Sequence, residues 1–151
     1  MTFSAQEAII YDWLDRPQIK RAAFDDTGLG MQLVERAQEK YGAYRVEPVR
    51  FTANIKEELA YPVRAAFEDR SIRIPKDDEI RADLRSIRKT TTAAGNIRFE
   101  ADTGPGGHAD RFWALALAKH AASAAKTSVA EALRGRFTSL AGRFGVGRRV
   151  V

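Results

Sequence analysis

Two acidic signatures lie 85 positions apart in this 151-residue chain. The first is Phe24-Asp25-Asp26-Thr27-Gly28-Leu29-Gly30 and the second is Gly107-His108-Ala109-Asp110-Arg111-Phe112-Trp113. Each sets a carboxylate where a regular element meets a glycine-rich bend. A fold that brings the two bends together makes an oxygen-ligand site for a hard divalent cation. The chain has no cysteine and only two histidines, His108 and His120, which excludes disulfides and thiolate chemistry and leaves little for a zinc centre. The candidate metal ligands are therefore Asp25 and Asp110, with Asp26 and His108 as further candidates beside them.

Each carboxylate also has a plainer reading. Asp25 or Asp26 can cap the helix that follows, and Asp110 can sit in the first turn of its helix as dipole compensation worth about 0.3–1 kcal/mol. Alternation along a strand turns Asp26 to the face opposite Asp25. Thr27-Gly28-Leu29-Gly30 is no phosphate loop, because no Gly-Lys-Ser/Thr follows and the GxGxxG spacing is absent.

The elements around these acids follow from pattern and caps. Ser4-Ala5-Gln6-Glu7 reads as a capping box that opens a helix, which Pro17 stops. Ile19–Asp25 reads as a buried strand, and a second helix runs from about Leu29 to Lys40. Tyr44–Phe51 is the next strand, and Thr52 caps a helix through Phe67 that Pro62 can kink. Ser71–Pro75 reads as a short strand, 77–87 as a helix, and the two β-prone runs around Ala94-Gly95-Asn96 as a hairpin. The helix over about 109–125 is apolar nearly all round and so should pack deep. Alternating strands and helices predict an α/β sandwich with a largely parallel central sheet, whose ligands bind beyond the carboxyl ends of the strands. Asp25 stands at such an end.

A content of 44% hydrophobic and 30% charged residues suits one globular domain with a core of its own. No run of eighteen apolar residues exists, and Met1–Glu7 has neither the charge nor the apolar core of a signal peptide, so a cytoplasmic protein without membrane contact is expected. Charge is segregated. Residues 1–125 hold 19 basic and 19 acidic residues, whereas residues 126–151 hold six basic residues against Glu131 alone, so the whole net charge of +5 sits in the tail. The expected organisation is a neutral body over 1–125 and a basic tail over 126–151. In the tail Val129, Leu133, Phe137, Leu140 and Phe144 recur at helical spacing with Arg134, Arg136 and Arg143 off the apolar stripe, while Gly135 and Gly142 weaken that helix. Such a tail serves DNA, an acidic protein surface or solubility alone.

The order Phe24–Gly30, Phe51-Thr52 with Lys56, Ile72-Arg73-Ile74-Pro75 and Gly107–Ala114 resembles the nuclease domain of phage large terminase subunits, particularly the Mu-like type, over roughly residues 3–122. The resemblance implies an RNase H-like fold and a nuclease that cuts genomic DNA during packaging with Mg²⁺ or Mn²⁺ on three acids. Asp25 matches the second acid, Asp110 the third, and Lys56 a basic position suited to phosphate contact. It also implies double-stranded DNA and the portal or other packaging subunits as partners, with the tail as the docking segment, in the host cell cytoplasm.

In that family the first acid lies on the opening strand of a three-strand meander, and a Walker-type motor precedes it. This sequence begins at the helix after the meander, as a truncated prophage gene, half of a split gene or an excised fragment would. The expectation is a partial RNase H-like domain with an exposed strand edge, filled by an upstream terminase fragment, a second copy or aggregation. Two functions follow: a metal-dependent endodeoxyribonuclease module that is inactive alone, or a non-catalytic protein- or DNA-interaction module left by truncation.

Overall fold

The structure, a computed structural model, describes residues 1–28, 30–101 and 109–124. The elements in chain order are α1 (Phe3–Asp15), β1 (Ala22–Asp25), α2 (Gly30–Tyr41), β2 (Val46–Val49), α3 (Ala53–Glu68), α4 (Asp78–Ser86), β3 (Ile87–Thr91) and β4 (Ile97–Ala101). A last helix, α5, runs over 110–124. The expected tail over 126–151, with Arg134, Arg136 and Arg143, lies outside the described residues.

β1 and β2 pair in parallel, with Ala22 opposite Val46 and Asp25 opposite Val49. The connection between them is α2, the helical crossover that parallel strands require. Strand parity then sorts side chains between two cores. Ala22, Phe24 and Val46 join Leu14, Val34 and Ala37 beneath α1 and α2. Ala23 and Val49 face the other way, against Leu59 and Val63 of α3 and Phe112, Trp113, Ala116 and Leu117 of α5. Asp25 shares the parity of Ala23, so its strand directs it toward α5. β3 and β4 form a separate antiparallel hairpin whose inward face packs on α3. Among the described residues the parallel part of the sheet is thus two strands wide.

Several boundaries differ from the sequence reading for local reasons. α1 is capped by the Thr2 hydroxyl, which accepts from the Ala5 amide at 3.3 Å, so Ser4 and Glu7 lie inside the helix and form no capping box. Glu7 instead accepts from the Tyr11 hydroxyl and Arg36. β1 starts at Ala22, not Ile19, because the Ile19 amide closes a turn onto Arg16 and the Arg45 guanidinium takes the Leu14 and Ile19 carbonyls. Residues 71–75 form no strand: Ser71 folds back onto the Ala66 carbonyl through both its amide and its hydroxyl. Ile87 turns to extended backbone and begins β3 where a helical residue was expected. Pro62 lies within α3 without ending it.

The outer edge of β1 pairs with no strand among the described residues. Beside it runs an apolar groove of about 760 Å³ between α1 and α5, lined by Ile9, Trp13, Phe24, Leu117 and Ala121 among others. Ile9 and Trp13 are 48% and 52% exposed there.

Candidate metal centre

Asp25 ends β1, and the chain turns at once into α2. One of its oxygens, Oδ1, accepts from the Thr27 amide at 3.1 Å and the Thr27 hydroxyl at 2.6 Å. Oδ2 takes no hydrogen bond among the described residues. The local turn role and a ligand role therefore use different oxygens of one carboxylate. The turn is tight enough to restrict its sequence. Gly28 has φ +63°, in the left-handed region that favours glycine, and a Cβ at Gly30 would stand 2.6 Å from the Asp25 carbonyl oxygen.

Asp110 is set by α5. Ala109, just before it, is buried with φ +56°, a left-handed conformation uncommon for a residue with a Cβ, and its carbonyl accepts from the amides of Phe112 and Trp113. The Arg111 amide, an orphan of the first helical turn, is taken by the Asp83 carboxylate of α4 at 3.1 Å. The Arg111 side chain also pairs with Glu79 and Asp83. With that cap supplied from α4, Asp110 is exposed and makes no hydrogen bond or ion pair among the described residues.

The two acids meet. Asp25 and Asp110 line one cavity of about 430 Å³, together with Phe51, Lys56 and Trp113. Lys56, from the second turn of α3, holds its ammonium 5.6 Å from the Phe51 ring centre and 5.1 Å from that of Trp113. It forms no ion pair among the described residues, so aromatic faces rather than a carboxylate hold this cation in place. Asp26 is not among the residues lining the cavity, and its amide donates to the Val49 carbonyl. His108 lies outside the described residues.

The sequence and the fold match known proteins. The terminase RNaseH-like domain family matches residues 1–122. The chain belongs to this family. Solved relatives agree with the sequence match: the large terminase nuclease from thermophilic phage G20c, in structures with bound cobalt and with bound magnesium, superposes with a TM-score of 0.66 at 26% identity, covering 80% of this chain and 62% of that one. The Thermus phage P74-26 large terminase nuclease domain has the same fold, with a TM-score of 0.59 at 23% identity over 78% of this chain and 58% of that one. The Mu-like prophage FluMu protein gp28 of Haemophilus influenzae is 35% identical over 83 residues, 55% of this chain. The chain spans 16% of the length of gp28 and 62% of the G20c nuclease. The α/β architecture read from the sequence is thus the RNase H-like fold of terminase nucleases.

One feature of this domain was missed in the sequence. Glu47 of β2 accepts two hydrogen bonds from Arg21, at 3.1 and 2.7 Å, and meets His120 of α5 at 3.0 Å. Burial pushes its carboxyl up, but His120 and Arg21 outweigh that and hold it below its ordinary 4.5. The triad ties β1, β2 and α5 together on the face that also carries Asp25. A charged residue in the middle of the short strand Val46-Glu47-Pro48-Val49 was the signal.

Proposed function

We propose that this chain is the nuclease module of a phage DNA-packaging terminase large subunit, in which Asp25 and Asp110 hold Mg²⁺ or Mn²⁺ and Lys56 contacts a DNA phosphate. The observation that carries the reading is the shared cavity: two carboxylates from distant elements face it, with a cation beside them that has no carboxylate partner. The donor set fits a hard cation, since Asp25 Oδ2 and both Asp110 oxygens are unengaged among the described residues and water completes such a shell. A cation bound there supplies Lewis-acid activation of the phosphodiester. Lys56 orients the strand by charge, and Trp113 and Phe51 keep the ammonium in place.

Two-metal cleavage ordinarily uses a carboxylate shared between cations. Among the described residues no group of three or more His, Asp and Glu gathers that could hold a metal. On this reading a further acid comes from polypeptide outside residues 1–151 and adds as a strand beside β1, where the edge is open and the flanking groove apolar. Residues 1–151 alone then bind metal weakly and cleave DNA little or not at all. The partners are double-stranded DNA, the portal or other packaging subunits and an upstream terminase fragment, in the host cytoplasm. No helix among the described residues is long and apolar enough to cross a membrane.

The gathering of two acids rather than three among the described residues favours one second reading, a non-catalytic protein- or DNA-interaction module. Plasmid nicking in Mg²⁺ or Mn²⁺ separates the two, measured with and without an added terminase nuclease segment that carries the further acid. Nicking that appears on its addition and disappears with Asp110→Asn supports the nuclease. DNA binding without nicking in either case supports the interaction module.

A further inference from the structure

A second, smaller cavity of about 190 Å³ adjoins the first and shares two of its residues, Phe51 and Lys56. Its other walls are Thr52 and Ala53 at the start of α3, and Arg98, Phe99 and Glu100 of β4. Ile97, Phe99 and Ala101 face the protein, Phe99 edge-on to Tyr61 with ring centres 5.3 Å apart. Arg98 and Glu100 therefore share the outward face, where their side chains are 57% and 56% exposed and only 3.8 Å apart at the closest N and O. That contact is long and solvated, so it holds the guanidinium weakly and leaves it free for a better anion. Lys56 and Phe51 line both cavities, and so border the acid pair in one and Arg98 in the other.

We propose that Lys56 and Arg98 form a second phosphate-binding subsite, which takes the DNA phosphodiester next to the one at Asp25 and Asp110 as the strand crosses Phe51. The inference rests on the nuclease reading above for the identity of the first phosphate. It adds a track: DNA runs from the acid pair over α3 toward the β3–β4 hairpin, and not along the apolar groove beside β1. Glu100 is the opposing charge on that track, and it lowers affinity by competing for Arg98.

The test is fluorescence polarisation of a labelled 20-base-pair duplex with the full 151-residue chain in Ca²⁺, titrated from low to moderate salt. Arg98→Gln should weaken binding about threefold to tenfold and reduce the salt slope by about 0.9, as loss of one phosphate contact does. Arg98→Lys should recover most of the affinity, and Glu100→Gln should tighten binding. Arg64→Gln, on an exposed pair with Glu68 elsewhere on α3, should change nothing. Lys56→Gln separates the first phosphate contact from the second. If it weakens binding while Arg98→Gln and Glu100→Gln leave affinity and slope unchanged, the second subsite is wrong and the first phosphate contact stands. If Lys56→Gln and Arg98→Gln are both silent, the subsite is wrong and the Lys56 assignment falls with it.

Discussion

A Cβ added to Gly30 would stand 2.6 Å from the carbonyl oxygen of Asp25, so the first residue of α2 and the last of β1 touch through backbone. The obstacle is main chain and cannot swing aside. Gly30→Ala must move either the start of α2 or the end of β1, and Asp25 moves with the latter. The expected cost is about 1–3 kcal/mol, typical of overpacking, together with weaker Mn²⁺ binding. Thermal melting and Mn²⁺ titration check this, and a variant of wild-type stability with wild-type binding would show that the close approach of Gly30 to Asp25 does not set the acid.

Asp25→Asn keeps an acceptor oxygen for the Thr27 amide and hydroxyl but removes the charge. It therefore separates the turn from the metal. Wild-type melting with Mn²⁺ affinity lowered about tenfold or more is the expected pair of results, and Asp110→Asn should match it. The unmodified chain should bind Mn²⁺ or Mg²⁺ weakly and leave plasmid DNA intact at physiological metal concentrations. Robust nicking abolished by Asp110→Ala would mean that another residue of this chain, Asp26 first among them, completes the site.

Asp83 caps α5 from a neighbouring helix by accepting the Arg111 amide, and it also pairs with the Arg111 side chain. Asp83→Ala should cost about 0.5–2 kcal/mol, as loss of a capping group does. Hydrogen exchange should rise first in the opening turn of α5, which carries Asp110. Unchanged exchange there would show that burial of Phe112 and Trp113 fixes the helix start without the cap.

The acids were legible in sequence because each closes a pattern: Ala22-Ala23-Phe24 ends in Asp25 before Thr27-Gly28, and Asp110 opens a helix apolar nearly all round. Strand parity gave the right face for Asp25. What sequence could not show was the source of each local bond. Arg45 reaches back 26 residues to the Ile19 carbonyl and so shortens β1, and Asp83 reaches forward 28 residues to cap α5. Ser71–Pro75 had strand composition, yet the Ser71 amide closes onto Ala66 and no partner strand lies beside it among the described residues. Lys56 was visible only as a basic position. Its placement over Trp113 needed the packing of α5 against α3.

Glu47 gives the stability of this domain an acid limb. Its carboxyl is held below 4.5 by His120 and Arg21 despite the opposing effect of burial. A carboxyl lowered on folding contributes stability that is present above its unfolded value and is lost as pH falls through the folded one. Glu47→Gln keeps the shape and removes this titration, so the melting temperature of the variant should fall less steeply below about pH 4.5 than that of the parent. Parallel curves for the two proteins would show that other carboxyls carry the acid limb.

The basic tail over 126–151 holds the whole net charge of +5, while residues 1–125 balance at 19 basic and 19 acidic. Nonspecific attraction to DNA follows net charge and its concentration in one segment, so the tail should dominate the salt dependence. Each phosphate neutralised contributes a slope of about −0.9 in log affinity against log salt. Deleting residues 126–151 should therefore weaken duplex binding and flatten the slope by several such steps, while melting of the body stays unchanged. Contacts from Lys56 and Arg98 should survive the deletion as a small residual slope that Arg98→Gln reduces further. Equal slopes for the full and shortened chains would mean that the neutral body makes the phosphate contacts, and would assign the tail to a protein partner such as the portal rather than to DNA.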